Sequence, residues 1–374
     1  EHYMIKDLPA ADWINQWDTY TETSHAKEIF TDPYAAESDV KLLIDGWFVE
    51  SMADLNQKQP QLLSYLTQNA IWWVEYADLS GYRVDTYPYN SRDEITQWTK
   101  AIMDEYPNFS IVAESWVINP IHLSYWQKDS PIAAMSGFNS QVTHVKDFAL
   151  FAAVQDIYQG DTPWWEQKMN KIYKVFQNDF VYANPNDLIV FLENHDTSRI
   201  NEIASEFYQY KLVTTLLATV RGVPQTYYGT EINMRGAKEK GDADLRRDFP
   251  GGWPSDTRTA FNKAGRTEVE NNYFDFTAQL FNWRKNEPVI HFGKTMHYAP
   301  QNEVYVYFRY TDNKTIMVVL NANDEDQTLN MQRFNQRIGS AQMGKDVFSD
   351  AVTPLTGQLP IPANSAKIIS FNTP

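Results

Sequence analysis

Up to about residue 287, short apolar runs alternate with longer amphipathic stretches, and several of the runs end in a carboxylate. The runs predict five strands, at Leu79–Asp85, Phe109–Glu114, Val142–Asp147, Leu188–Asn194 and Val223–Gly229. The stretches between them predict helices near Pro60–Tyr76, after a capping box of Ser91 and Glu94, and near Phe148–Ile157, Pro163–Phe176, Glu206–Arg221 and Val269–Asn286. Such alternation implies parallel strands joined by right-handed crossovers.

The two ends of the chain follow other patterns. Residues 1 to about 58 are irregular and rich in Trp, Tyr and Asp, which predicts a long functional loop region or a small subdomain. From about Pro288 onward the periodicity becomes that of β-strands joined by turns. The β-type positions are Val304–Tyr310 and Ile316–Leu320, with a turn at Thr311–Lys314, and Val347 and Ile368–Phe371. This part of the chain predicts a small antiparallel domain.

Three of the predicted strands lead into acidic residues: Asp85, Glu114 and Asp196. In an alternating strand–helix chain, the carboxyl ends of the strands face one side of the sheet, where substrates bind. We therefore expect the three carboxylates to belong to one site. An acid pair with a third carboxylate is the set of groups that cleaves glycosidic bonds.

Arg83 and Asp85 lie two residues apart on a predicted strand, so their side chains share one face. A cation beside a carboxylate favours its ionised form, and an ionised Asp at a strand end can act as a nucleophile. A purely structural Arg–Asp ion pair is the alternative interpretation.

Glu114 emerges from an apolar strand, where desolvation can raise its pKa and suit it to general acid catalysis. Trp116 follows two residues later and is placed to stack against a sugar ring. The alternatives are a solvated Glu at a strand end and a Trp that packs in the core.

Asn194, His195 and Asp196 bring an amide, an imidazole and a carboxylate to one strand end, and such a group can bind neighbouring hydroxyls. A structural histidine is the alternative. The other histidines are scattered without a His-x-x-x-His pair, so no metal ligands are predicted. The chain also contains no nucleophile elbow, phosphate-binding Gly-rich loop or dinucleotide fingerprint.

Composition narrows the function classes. A net charge of −16 and a pI near 4.9 argue against binding to nucleic acid, whose phosphates would be repelled. The chain contains no cysteine, which excludes disulfides and thiolate metal sites. It has no apolar run of about 18 residues, so no membrane span is expected. The 12 Trp, 22 Tyr and 20 Phe include candidates for stacking on sugars, although most are expected to fill the core.

Taken together, these motifs resemble the α-amylase superfamily of retaining glycoside hydrolases along almost the whole chain. The resemblance implies an α/β fold, a (β/α)8 TIM barrel followed by a C-terminal antiparallel β-sandwich domain. It makes Asp85 the nucleophile, Glu114 the acid/base and Asp196 the stabiliser of the transition state. In the same way it assigns Arg83 to orienting the nucleophile and His195 to binding ring hydroxyls.

Three further segments support the resemblance. Met52-Ala53-Asp54-Leu55-Asn56 is similar to an additional motif of the family, with Ala53 where Pro is usual. Gly222–Glu231 resembles the eighth barrel strand. Asp242–Arg246 resembles a loop whose arginine, here Arg246, approaches the donor sugar.

The Asp54-Leu55-Asn56 string and Trp116 resemble the neopullulanase and cyclomaltodextrinase branch, which acts on cyclodextrins, pullulan and maltooligosaccharides. The segment Asp85–Tyr89 is similar to versions from Bacteroidetes-type starch utilisation systems. Tyr89, a predicted substrate contact, stands where the family often has His or Glu. The acceptor-site preference of the family therefore does not transfer directly.

The family's Asp-x-x-x-x-Asn-His string and its first three barrel strands have no counterpart in this sequence. The predicted strands would then be the fourth to eighth, and we expect the C-terminal portion of a barrel. The expected domains are an excursion after the third strand (1–45, domain-B-like), the barrel portion (46–287) and the C-terminal β-sandwich (288–374). The missing N-terminal portion of the same protein is an expected partner.

The leading hypothesis is retaining hydrolysis of α-glucosidic bonds in maltooligosaccharides, cyclodextrins or pullulan. The alternatives are a non-catalytic glucan-binding or inactive fragment and an α-glucan transglycosylase. By resemblance no cofactor is required, while a structural Ca2+ stays open because one expected ligand string is absent. Homo-oligomerisation and the choice between α-1,4 and α-1,6 bonds also stay open, and resemblance alone favours a periplasmic or otherwise extracytoplasmic location.

Overall fold

The computed structural model describes residues 13–163 and 165–373. Within these residues the chain forms two compact units. One unit runs to Ala149 and includes Asn178–Ile189, and the other comprises Leu150–Gln177 and the residues from Val190 onward.

The first unit alternates helices with the strands of a parallel sheet. Its elements in chain order are α1 (Glu37–Asp45), α2 (Pro60–Ala77), β1 (Gly81–Val84), α3 (Arg92–Glu105), β2 (Ser110–Ala113), α4 (Pro120–Ser124), α5 (Pro131–Ala134) and β3 (His144–Val145). The strands are shorter than predicted at both ends, because their terminal residues leave the ladder to form loops.

The strand order in this sheet is β1-β2-β3, and both pairings are parallel. Val84 lies opposite Ala113, so β1 and β2 end side by side at the same edge. Beyond β3, Lys146 forms a parallel bridge with Ile189, which extends the sheet by one more pairing. This register places the residues after β1 and β2, Asp85 and Glu114, next to each other.

Helix α2 begins with Pro60 at a position where a missing backbone N–H costs nothing. The Gln59 side chain accepts a hydrogen bond from the N–H of Gln61 at 2.7 Å. The helix ends at Ala77, and the next residue, Asp78, has a φ of 52° that turns the chain toward β1. Apolar side chains of α2, α3 and the sheet then form one core, which includes Ala70, Val74, Ile95, Ile102, Ile111 and Ala113.

Two expectations for the first unit are wrong. Helix α3 starts after Ser91, but the Ser91 side chain makes no capping hydrogen bond, so the predicted capping box with Glu94 does not form. Ser91 is buried, and its backbone N–H donates to Oε1 of Gln57 at 2.9 Å, so a distant side chain replaces the local cap. Helix α1 lies in the region that sequence periodicity leaves irregular.

In the second unit, helices and two strands precede a β domain. Two elements of this unit, α6 (Phe148–Gln159) and β4 (Ile189–Phe191), begin one or two residues before its boundaries. The other elements before the β domain are α7 (Asn170–Phe176), α8 (Ile200–Ile203), α9 (Phe207–Thr219), β5 (Val223–Gln225), α10 (Asp242–Leu245), α11 (Glu268–Lys285) and α12 (Pro288–Phe292). Strand β4 is buried along its length and pairs with β5.

Helices α9 and α11 each begin with a capping box, formed by Glu206 with Gln209 and by Thr267 with Glu270. They pack together through aromatic rings, of which Tyr210 and Tyr273 lie 4.5 Å apart. The caps satisfy backbone N–H groups that a helix cannot satisfy by itself.

The predicted helix over Pro163–Phe176 is too long, since α7 begins only at Asn170. The carboxylate of Glu303 accepts hydrogen bonds from the backbone N–H groups of Lys168 and Met169, at 3.0 and 3.2 Å. Gln167 in turn accepts from the N–H of Glu303 at 2.9 Å. This tertiary contact holds residues 167–169 outside the helix.

The predicted antiparallel domain at the C-terminus is confirmed. Its elements are β6 (Lys294–Gln301), β7 (Val304–Tyr310), β8 (Lys314–Asn321), β9 (Gln327–Asn330), α13 (Asn335–Ile338), β10 (Met343–Asp346), β11 (Val352–Pro354), β12 (Gln358–Ile361) and β13 (Ser365–Asn372). Six strands form one sheet in the order β11-β10-β13-β8-β7-β6, and β12 pairs with β9.

Strand β7 is buried on both faces, which explains its continuous hydrophobic run. Val306 and Phe308 join the core beneath β9 and β12. On the opposite face, the Tyr307 hydroxyl is hydrogen-bonded to the Thr219 hydroxyl of α9. A strand buried on both faces does not show the alternation of polar and apolar residues that is typical of a half-exposed strand. Among the described helices, none combines the length and apolar character that a membrane crossing requires.

Candidate active site

The loop after β1 folds over the end of β2 and fixes Glu114. The backbone N–H of Thr86 donates to Oε2 of Glu114 at 2.9 Å. The N–H of Tyr87 donates to the Glu114 carbonyl at 3.0 Å, and the N–H of Glu114 donates to the Val84 carbonyl at 2.9 Å. Thr86 has a φ of 47°, a left-handed conformation that is unfavourable for a β-branched residue. The left-handed conformation of Thr86 therefore directs its backbone N–H toward the Glu114 carboxyl group.

Asp85 is accessible and paired with a cation. Its side chain is 67% exposed, and its Oδ1 lies 2.6 Å from NH1 of Arg83. The two side chains share one face, as strand periodicity predicts. An exposed carboxylate held by a guanidinium has one oxygen oriented and the other available to a ligand.

Glu114 has the opposite environment. It is only 5% exposed, and burial raises its pKa, while the Thr86 N–H and the cations of Arg83 and Lys27 oppose the rise and the Asp85 carboxylate adds to it. Its Oε1 has no hydrogen-bond partner among the described residues. A carboxyl with a raised pKa and an unengaged oxygen is suited to transferring a proton.

Trp116 forms part of a groove in the first unit. One face of its ring stacks on Phe148, with the centroids 4.9 Å apart and the planes at 18°. The groove has a volume of about 910 Å³, and Trp116 lines it together with His25, Lys27, Tyr34 and His122. Both interpretations of Trp116 therefore hold in part, because the ring packs on one side and lines a groove on the other.

Tyr89 sits among residues of the N-terminal segment. Its hydroxyl lies 2.9 Å from Nδ1 of His25, and its ring packs against Phe48 with centroids 4.6 Å apart. Burial, together with the Glu114 charge, raises the pKa of Tyr89 to about 12. The Lys27 ammonium lies 6.0 Å from the centre of the Tyr89 ring.

The second unit brings together His195, Asp196 and Arg246. Nε2 of His195 lies 3.1 Å from Oδ2 of Asp196, and NH2 of Arg246 lies 2.9 Å from Oδ1. Nε of Arg246 donates to the His195 carbonyl at 3.0 Å, and its guanidinium also pairs with Asp242 at 3.0 Å. The arginine therefore supports both neighbouring residues, which a predicted sugar contact alone would not require.

The loop that presents His195 and Asp196 is tightly folded. Oδ1 of Asn194 accepts from the N–H of Asp196 at 2.8 Å, and the Thr197 hydroxyl accepts from the N–H of Asn194 at 2.9 Å. Asn194 thus acts on the loop itself.

The predicted site residues form two groups. Arg83, Asp85, Tyr89, Glu114 and Trp116 come together in the first unit, and His195, Asp196 and Arg246 come together in the second.

Sequence reasoning missed His25, Lys27 and Phe48, since they lie in an irregular segment where no periodicity marks a face. It also missed Glu193, a buried carboxyl whose only signal was its place next to Asn194.

The additional motif has a structural contact of its own. Oδ2 of Asp54 accepts from Nδ2 of Asn15 at 2.7 Å, and burial raises the pKa of Asp54 to about 6. Leu55 bridges Ile14 in antiparallel fashion. The motif at residues 52–56 thus holds residues 13–15 in place.

No three His, Asp or Glu side chains of the described chain are grouped as metal ligands. We therefore assign no residue to a metal ion.

Comparisons with known proteins identify the family of the chain. Residues 6–316 match the family described as alpha amylase, catalytic domain, and residues 295–370 match the cyclo-malto-dextrinase C-terminal domain. A cyclomaltodextrin glucanotransferase of Bacillus licheniformis is 26% identical over 289 residues, which are 76% of this chain and 36% of that protein. Alpha-amylase 2 of Dictyoglomus thermophilum is 22% identical over 290 residues, 76% of this chain and 46% of that protein. The chain thus spans less than half the length of these curated relatives.

Solved structures show the fold. The crystal structure of an alpha-amylase from Geobacillus thermoleovorans, complexed with acarbose, superposes with a TM-score of 0.76 at 21% identity and covers 99% of this chain and 74% of that one. A debranching enzyme from Nostoc punctiforme gives a TM-score of 0.64 at 19% identity, over 97% and 70% of the two chains. The predicted fold class, a TIM-barrel catalytic domain with a C-terminal antiparallel sheet domain, is confirmed.

Proposed function

The chain belongs to the α-amylase family, and from this premise we propose that the protein cleaves α-glucosidic bonds in α-glucan oligosaccharides with retention of configuration. Asp85 is the nucleophile and Glu114 the general acid and base. The cyclomaltodextrinase-type C-terminal domain supports cyclodextrins, maltooligosaccharides or pullulan as the substrate class.

One observation supports this proposal above the others. Two carboxyl groups follow paired strands in register, and their environments differ. Asp85 is exposed and paired with Arg83, whereas burial raises the pKa of Glu114. An exposed carboxyl group beside a buried one with a raised pKa is the arrangement that suits a double displacement.

In the first step, the Asp85 carboxylate attacks the anomeric carbon of the sugar. The bond to the glycosidic oxygen breaks with its electron pair on that oxygen, and the oxygen takes the proton of Glu114. A covalent glycosyl ester on Asp85 remains, and Glu114 is now a carboxylate.

In the second step, Glu114 removes a proton from water, and the water oxygen attacks the anomeric carbon. The ester bond breaks, the electron pair returns to the Asp85 carboxylate, and Glu114 regains its proton. Two inversions at one carbon give net retention.

The remaining residues are assigned by resemblance and by their contacts. Arg83 keeps Asp85 oriented through the 2.6 Å ion pair. Asp196 and His195 bind ring hydroxyls as positive charge develops on the sugar, and Arg246 holds both of them in place. Trp116, which lines the groove, contacts the sugar on the leaving-group side. Tyr89 is assigned to substrate binding by resemblance and packs against His25, another residue of the groove wall.

Transglycosylation is the second candidate, in which another sugar replaces water in the second step. Two observations favour it: the groove with Trp116 in its wall, which suits an acceptor sugar, and the similarity to proteins described as cyclomaltodextrin glucanotransferases. Both reactions share the covalent intermediate on Asp85.

The test is to incubate the complete protein with maltotriose and to analyse the products by chromatography and by NMR of the anomeric proton. Shorter sugars released as the α-anomer support retaining hydrolysis, and longer sugars support transglycosylation. Unchanged maltotriose that nevertheless binds the protein would indicate a non-catalytic glucan-binding protein, and initial release of the β-anomer would contradict retention.

A matched pair of variants tests the nucleophile. Asp85→Asn should lower kcat by roughly 10³-fold or more while leaving glucan binding largely intact, because binding energy is spread over many sugar contacts. Asp104→Asn is the control, since Asp104 is also exposed, at 64%, and paired with a cation, Lys100, at 2.7 Å. A near-normal rate for Asp85→Asn would reassign the nucleophile.

A further inference from the structure

We propose that Glu193 is a positioning residue whose carboxylic acid proton ties the loop bearing His195 and Asp196 to the turn at residues 227–230. Glu193 lies two residues after the end of β4 and is 2% exposed. The double displacement uses no group at this position, so the carboxyl needs another explanation.

The contacts of Glu193 span the loop. Its Oε2 accepts a hydrogen bond from the backbone N–H of Ile200 at 2.7 Å. This side chain therefore joins the two ends of the loop formed by residues 193–200. Its Oε1 is hydrogen-bonded to the hydroxyl of Thr230. The carboxyl is thus the link between the His195–Asp196 loop and the following turn.

The hydrogen bonds around Thr230 favour a proton on Glu193. Oγ1 of Thr230 is within hydrogen-bond distance of two oxygens, Oε1 of Glu193 and the Tyr227 carbonyl, the latter at 2.6 Å. A hydroxyl carries one hydrogen, and an ionised carboxylate and a carbonyl can only accept. A carboxylic acid at Glu193 donates to Thr230, which then donates to Tyr227, and both contacts become hydrogen bonds.

The surroundings favour the neutral form. Burial raises the pKa of Glu193 to about 7, with the Glu231 carboxylate adding to the rise and Thr230, Arg199 and the Ile200 N–H opposing it. The Tyr210 hydroxyl of α9 and the ring of Tyr227 border the same cavity, as does Lys285 of α11. Among these groups, only Arg199 and Lys285 are cations.

Arg199 extends the link to the residues that would bind sugar. Its NH1 donates to the Tyr228 carbonyl, and its Nε donates to the Leu245 carbonyl at 3.0 Å. Its guanidinium lies 4.0 Å from the centre of the Tyr227 ring. Leu245 precedes Arg246, which contacts Asp196. Glu193 and Arg199 therefore support the same loop from its two ends.

The first test is spectroscopic and needs no substrate. Infrared spectra distinguish a carboxylic acid from a carboxylate, and the difference between the complete wild-type protein and Glu193→Gln isolates this group from other protonated acids such as Glu114. We expect a carboxylic acid band that disappears as the pH rises through about 7. Glu202→Gln, the same change at an exposed residue of α8, should leave that band in place.

The second readout is stability. An unfolded Glu titrates near about 4.3, so the folded protein binds the Glu193 proton more tightly than the unfolded chain does. This contribution to the free energy of unfolding is fully present below that pH and is lost as the pH rises through about 7. Glu193→Gln should lack this loss, and Glu202→Gln should retain it.

The third readout rests on the proposed function. Gln can accept from Ile200 and donate to Thr230 as the acid does, so Glu193→Gln should keep most of the wild-type kcat on maltotriose. Glu193→Ala leaves the backbone N–H of Ile200 without its acceptor and removes the donor to Thr230, so kcat should fall about tenfold or more. Thr230→Val should show a similar loss, and Thr230→Ser should restore the rate.

Each result decides a different claim. A carboxylate band for Glu193 at pH 5, or equal pH dependence of stability in wild type and Glu193→Gln, would overturn the inference. A Glu193→Gln variant as impaired as Glu193→Ala would also overturn it. A protein without glucan activity that still shows the titrating band would overturn the proposed function and leave the protonated Glu193 established.

Discussion

At the scale of single residues, the site depends on how two carboxyl groups come to differ. Asp85 and Glu114 follow adjacent strands, yet one is exposed beside a guanidinium and the other is buried under the Thr86 turn. Burial disfavours charge, and a paired cation favours it. The proposed division into nucleophile and acid therefore rests on local surroundings, because both are carboxylic acids of similar intrinsic strength.

Lys27 is expected to tune this division. Its ammonium lowers the pKa of Glu114, although burial dominates and the net direction is upward. Lys27→Met removes the cation, so the pKa of Glu114 should rise further and the acid should stay protonated to higher pH. The alkaline limb of the kcat/KM profile should therefore move to higher pH. Lys100→Met, an exposed lysine on α3, is the control, and a limb that stays in place or moves down would contradict this role.

At the scale of secondary-structure elements, the register of β1 and β2 brings the two proposed reacting groups side by side. Val84 opposite Ala113 places Asp85 and Glu114 on neighbouring strand ends. Retaining enzymes hold their two carboxyl groups about 5–5.5 Å apart, and inverting enzymes about 6.5–9.5 Å. We expect the shorter range in a crystal structure of the complete protein with a bound glucan. A clearly longer separation in a well-ordered site would exclude direct attack by Asp85.

Much of the element pattern was predictable, because strand and helix periodicity follows from which face is buried. The five strands before the β domain and the acids at their ends came from this signal alone. The exceptions are tertiary: Gln57 replaces the cap at Ser91, and Glu303 prevents the chain around Lys168 from joining a helix. Sequence periodicity could not identify Lys27, because it lies in an irregular segment. It could not identify Glu193 either, because a single buried acid forms no repeating pattern.

At the scale of the whole molecule, two strands that precede the β domain have unpaired edges. Within the described residues, β1 pairs with β2 alone and β5 pairs with β4 alone. Unpaired strand edges present free backbone N–H and C=O groups, which can pair with a strand of another chain. The aromatic side chains of Trp72, Trp73 and Tyr76 on α2 are also exposed, and each Å² of uncovered apolar surface forgoes about 25 cal/mol.

We therefore expect residues 1–374, expressed alone, to self-associate and to lack activity. Light scattering coupled to gel filtration would measure the mass, and calorimetry would detect cooperative unfolding. Lysine substitutions at Trp72 and Tyr76 should reduce association if the exposed surface causes it. A soluble monomer that melts cooperatively and hydrolyses maltotriose would contradict this expectation.

The central claim is the covalent intermediate on Asp85, and trapping it is the most direct test. Glu114→Gln should still react with a glucoside whose leaving group needs little protonation, whereas the second step slows without a base to activate water. Mass spectrometry of the digested protein should then find one glycosyl group on the peptide that contains Asp85. A glycosyl group on another residue, or steady turnover without any adduct and with inversion, would contradict the account.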